Sequence, residues 1–135
     1  MRPRIVATAA LVVAAAAGTW ALAATSLDLS DFNDDIMKDM DDTVKALDSN
    51  ISAHDVKSAA SEAQSIRNGL HWAEDYFAKK GNVEDAVKLA KRGEELADAV
   101  GKSVSLNDFD AALTSYDLLV KNCRTCHDAY KPPDL

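Results

Sequence analysis

Between residues 31 and 130 the apolar positions return every three or four residues in four successive blocks, the period of an amphipathic helix rather than of a strand. In the first block Phe32, Ile36, Met37, Met40, Val44, Leu47 and Ile51 share one face, while Asp39, Asp41, Asp42 and Lys45 take the other; the spacing predicts a helix from Asp31 to Ile51. Ser49-Asn50 interrupts it. Ser52-Ala53-His54-Asp55 then reads as the capped start of a second helix, Ser52 offering its oxygen to the free amides of the first turn. The second stripe is Val56, Ala59, Ala60, Ala63, Ile66, Leu70, Ala73 and Phe77, and Lys80-Gly81-Asn82 stops it with a glycine suited to the left-handed position after a helix. Asn82 is expected to cap a third helix, which carries Val83, Ala86, Val87, Ala90, Ala97 and Val100 and ends at Gly101. The fourth helix starts near Asn107. It carries Phe109, Ala112, Leu113, Tyr116, Leu119, Val120, Cys123, Cys126, His127 and Tyr130 until Pro132-Pro133 prevents continuation.

Four apolar stripes joined by short connections bury one another in an all-α, antiparallel up-down four-helix bundle. Five Gly and three Pro leave too few turn-formers for a chain of many short strands. The Ala-rich second and third helices let their backbones approach closely, so the larger side chains of the first and fourth are left to surround something bulky. Ahead of the bundle, Arg2 and Arg4 precede an Ala-rich apolar run from Ile5 to Ala24 that closes on Ala21-Leu22-Ala23, the small-x-small pattern of signal-peptidase cleavage. The expectation is a signal peptide over residues 1–23, export to the periplasm, and one bundle domain over residues 24–135. Retention of the leader as a membrane anchor is the alternative, because about 20 apolar residues suffice to span a bilayer. With Arg2 and Arg4 removed, 13 basic side chains face 22 acidic ones, a net charge of −9 that disfavours nucleic acid as a partner.

The sharpest chemical signal is Cys123-Arg124-Thr125-Cys126-His127, which uses both cysteines of the chain. On a helix, residues i, i+3 and i+4 share a face, so two thiols and an imidazole address one body. Thioether bonds from Cys123 and Cys126 to the vinyl groups of a haem, with His127 as proximal iron ligand, satisfy that spacing. Other readings stay open. A dithiol redox pair normally sits where a strand meets a helix, and no βαβ pattern is present. A structural zinc site needs a fourth ligand, for which only His54 or His71 is available.

A secreted four-helix bundle with Cys-x-x-Cys-His on its last helix resembles the class II c-type cytochromes, the cytochrome c′ family, over essentially the whole chain after the leader. The stretch from Cys123 to Lys131 resembles the family's haem-attachment segment, with Tyr130 and Lys131 where an aromatic and a basic residue follow the proximal His; Lys131 stands where Arg is common. Ile36-Met37-Lys38-Asp39-Met40 resembles the family's opening helix, and Met37 occupies the place whose side chain faces the distal side of the haem. Asn33-Asp34 stands where many members carry Arg-Gln. The resemblance implies one covalently attached haem c per chain, and the sixth iron position decides what such a protein does. A methionine thioether, from Met37 first and Met40 second, makes a six-coordinate, low-spin electron carrier; an apolar distal face leaves five-coordinate, high-spin iron that binds nitric oxide or carbon monoxide. Both methionines lie on the inward stripe, where Met is also an ordinary core filler. His71, beside the stripe position Leu70, is a rival sixth ligand.

The resulting expectation is an exported monohaem cytochrome that passes single electrons between redox proteins and is not an enzyme. Asp28, Asp31, Asp34, Asp35, Asp39, Asp41 and Asp42 crowd the start of the first helix, where they favour its positive end and offer a docking face to a basic partner. Pairing of two bundles as a homodimer through the first helix follows some members of the family.

Overall fold

The structure, a computed structural model, describes residues 27–131; the signal-peptide expectation for residues 1–23 and the stop at Pro132-Pro133 lie outside them. Four helices and no strand are present among the described residues: α1 (Asp34–Ser52), α2 (Val56–Lys80), α3 (Glu84–Ser105) and α4 (Phe109–Tyr130). Three residues join each helix to the next, too few to do anything but reverse the chain. The pairings agree with that reversal. Met40 meets Gly69, Arg67 meets Asp98, Leu70 meets Gly93 and Asn122 donates to the Leu89 carbonyl at 2.9 Å, so consecutive helices run antiparallel. Each helix packs on its successor and α4 returns to α1, closing a four-helix bundle in which α1 and α4 touch most sparsely.

Local chemistry sets the helix ends, in part differently from the periodicity. Each connection holds one non-glycine residue in the left-handed region, His54 (φ 58°), Asn82 (φ 57°) and Asn107 (φ 59°), and Asn and His tolerate that region better than most side chains. Ser52 is the last residue of α1 instead of the cap of α2; Asp55 caps α2, its carboxylate accepting from the Ser58 amide at 3.1 Å. Asn82 is used for the left-handed turn and so does not cap α3, whose N-cap Val83 makes no side-chain bond. Gly81 ends α2 as expected, at φ 71°. Gly101, by contrast, does not end α3. The helix runs on to Ser105 and thereby buries Val104 completely, a gain of about 1.5–3 kcal/mol that outweighs the ~1 kcal/mol helical penalty of glycine. At the other end of the bundle α1 begins at Asp34, three residues later than its pattern suggests, with Asn33 accepting from the Asp35 amide at 3.1 Å. Asp31 and Phe32 are drawn across α2 instead: the Asp31 carboxylate accepts from the Tyr76 hydroxyl and from Lys80 Nζ, each at 2.6 Å.

The core is unevenly shared. Six buried residues come from α2 and seven from α3, against Leu47 and Ile51 from α1 and Ala112 and Leu119 from α4. Close approach of the helices needs missing side chains at two points. A Cβ on Gly93 would stand 2.8 Å from Leu70 Cδ1, and one on Gly69 would overlap the Met40 thioether. The fully buried residues of α1 lie in its C-terminal half and those of α4 end at Leu119, so the opposite halves of these two helices are only partly covered. Leu119 is the last fully buried anchor before the Cys-x-x-Cys-His segment. Leu119→Ala should therefore destabilise the bundle by about 2–5 kcal/mol, read as a lower urea midpoint with an unchanged slope.

Candidate functional site

An open cleft of about 270 Å³ lies where the start of α1 meets the end of α4. Its floor is apolar and aromatic, formed by Leu29, Phe32, Phe77 and Tyr130. These rings belong to a cluster that continues away from the cleft: Phe32 packs edge-on against Trp72 and Tyr76 with centroids 5.0 and 4.8 Å away, and Phe77 lies 5.6 Å from Tyr130. Met37 of α1 and His127 of α4 both line this cleft, with Lys38, Asp41 and Lys131 at its rim. The antiparallel order of α1 and α4 brings them level, since the start of one helix lies beside the end of the other.

The structure separates the two methionines that the sequence left equivalent. Met40 lies against Gly69 of α2 and joins the central core cluster, and it is not among the residues lining the cleft. Its seat exists because Gly69 has no side chain. Met37, three residues earlier, is left facing α4.

Cys123 and Cys126 are free thiols, both partly buried. Cys123 packs against the central core, and burial raises its thiol above the ordinary range; burial and then the neighbouring Cys123 push the Cys126 thiol up to about 11. Dithiol exchange uses a thiolate, which redox-active cysteines form through depressed pKa values. These two are shifted the opposite way, so a thioredoxin-like role is disfavoured by environment as well as by fold. Desolvation and, secondarily, Lys131 hold the His127 imidazole below its usual value, which favours the neutral form that ligates metals. Asp85 beside it, then burial, push the Tyr130 hydroxyl up to about 12.

The other histidines lie elsewhere. His54 sits in the α1–α2 connection, not in the first turn of α2, and stacks on Phe109 with centroids 4.1 Å apart. Phe109 opens α4, and Cys123 and Cys126 follow 14 and 17 residues later, so about 21–26 Å of helix, at 1.5 Å per residue, divides His54 from the thiols, and it cannot complete a zinc site with them. His71 is exposed on the α2–α3 face, its Nδ1 3.4 Å from Glu94 Oε1, and is absent from the cleft lining. Part of the acidic charge of the first helix is satisfied locally: Asp35 pairs with Lys38, Asp41 and Asp42 with Lys45, and Asp31 with Lys80.

Of the residues singled out in the sequence, His127 and Met37 line the cleft, whereas Cys123 and Cys126 are not among its lining residues. Leu29 and Phe77 as cleft walls were not foreseen, because Leu29 precedes the helical pattern and Phe77 reads only as core. Comparison with protein-family models, with curated proteins and with solved structures returned no match to this chain.

Proposed function

We propose that this chain is an exported monohaem c-type cytochrome that transfers single electrons between redox proteins. One observation carries the reading: two thiols and an imidazole at i, i+3 and i+4 of α4, with that imidazole in the same apolar cleft as a methionine thioether from α1. The donor types suit a haem, although the two thiols are not among the residues lining the cleft. The two sulfurs are unpaired thiols, the nitrogen donor is accessible, and the aromatic floor suits a flat apolar macrocycle. Bound there, a haem iron supplies a one-electron couple between ferric and ferrous states.

The chain's own residues have limited and definable tasks in this scheme. Cys123 and Cys126 hold the group through thioether bonds, each S–H adding across one vinyl double bond so that no oxidant is consumed. His127 would hold the iron through a ring nitrogen. Met37, which lines the same cleft, would offer the iron a soft, neutral donor that raises the reduction potential and brings no charge into the cleft. Phe32, Phe77 and Tyr130 keep water from the apolar floor. The acidic positions of α1 not engaged by Lys38 or Lys45 give a basic redox partner a surface to dock on.

The test is to make the full chain in a host with export and haem-ligation machinery. The expected product is coloured, has the mass of a chain starting at Ala24 plus one haem, and keeps its pigment in acidified organic solvent. A colourless protein from a host that matures other c-type cytochromes would falsify the reading.

A further inference from the structure

On the opposite side of the bundle from the cleft, α2 and α3 bring together an imidazole and two carboxylates. His71 and Glu74 are three residues apart on α2 and so share a face. Glu94 meets them from α3 because the antiparallel register that pairs Arg67 with Asp98 and Leu70 with Gly93 puts residue 94 at the same level. His71 Nδ1 lies 3.4 Å from Glu94 Oε1 and 4.0 Å from Glu74 Oε2, and one ligand atom from each of the three residues falls within 4.8 Å of the others. We propose that His71, Glu74 and Glu94 bind a divalent transition-metal ion of the Zn²⁺ class.

Four features argue for a cation at this place. Tetrahedral metal sites with ligand bonds of about 2.0–2.2 Å hold their ligands about 3.3–3.6 Å apart, and the His71–Glu94 separation already falls there. Glu74 closes the rest by rotating a side chain that is partly solvated. The Glu94 side chain is only 12% exposed, and its fully buried Oε1 makes no hydrogen bond among the described residues, the His71 imidazole 3.4 Å away being an ion-pair neighbour only when protonated. Burial and the adjacent Glu74 push the Glu94 carboxyl up, and the pull of His71 in the other direction leaves that charge without full compensation. Arg67, one turn before His71, does not provide it, since its guanidinium is held by Asp98 at 3.0 Å. A dication meets this deficit directly.

The donor types narrow the ion. One imidazole nitrogen with two carboxylates suits Zn²⁺ and its first-row neighbours, whereas Ca²⁺ and Mg²⁺ take oxygen ligands. His71 is 61% exposed, so solvent reaches the site and water fills the remaining coordination. Since the ligands come from two helices, binding clamps α2 to α3 and raises the unfolding temperature with the logarithm of free ion once it exceeds the Kd.

The experiment titrates Zn²⁺ into the untagged, fully matured protein by calorimetry and follows thermal unfolding with and without Zn²⁺. One ion per chain is expected, with a higher Tm. Glu94→Gln keeps the shape of the side chain, and His71→Ala alters an exposed position, so neither threatens the fold. Each should weaken Zn²⁺ binding at least about tenfold and remove the thermal shift. Failure of the natural protein to bind Zn²⁺ overturns the site. Binding that survives both substitutions, as capture by Cys123 and Cys126 would, overturns it equally.

Discussion

Cys123→Ala combined with Cys126→Ala should yield a protein from which all haem is removed by acidified organic solvent, where the natural sequence retains it. The effect is all-or-none because no other thiol exists in the chain to replace either bond. Each single substitution should leave one thioether and a product with a perturbed reduced spectrum. Loss of His127 acts on a different bond: His127→Ala keeps covalent attachment through the two sulfurs but removes the proximal ligand, so colour persists while spin state and stability change. The combination is diagnostic, since a zinc or dithiol role for the same residues predicts no pigment in any variant. Extractable pigment in the natural protein, or covalent pigment in the double variant, would contradict the assignment of Cys123 and Cys126.

Met37→Ala should convert a low-spin spectrum to a high-spin one, abolish the ferric thioether absorption band near the red end of the visible range, and open the reduced protein to carbon monoxide. Met40→Ala should do none of these. The contrast rests on packing: Met37 lines the cleft that holds His127, whereas Met40 occupies the space that Gly69 leaves on α2. Met40→Ala empties part of a half-buried seat, so its cost is in stability, about 1–2 kcal/mol, below the range for a fully buried methionine. A natural protein that is already high-spin when oxidised and binds carbon monoxide readily when reduced would make Met37 a packing residue. The gas-binding reading would then replace electron transfer, with the same three residues holding the haem.

The helical period, the existence of four segments and the shared face of Cys123, Cys126 and His127 are properties of the chain taken locally, and the sequence by itself determined them. A repeat of three and four needs no information beyond one helix, and i, i+3 and i+4 remain neighbours whatever the helix packs against. Gly81 ended its helix for an equally local reason, a backbone angle that glycine adopts without strain. Gly101 did not, because the value of continuing α3 lay in burying Val104 against the other helices, which no local pattern records. Tertiary structure alone separates the places of Met37 and Met40: both lie on one stripe, but Met40 fills the space left at Gly69 of α2 while Met37 lines the cleft. The same holds for His71, whose i+3 partner Glu74 was legible but whose third partner was not. Glu94 joins them through the register of α2 on α3, and register is set by how whole helix faces interdigitate, Leu70 over Gly93 among them, rather than by any residue near His71 in the chain.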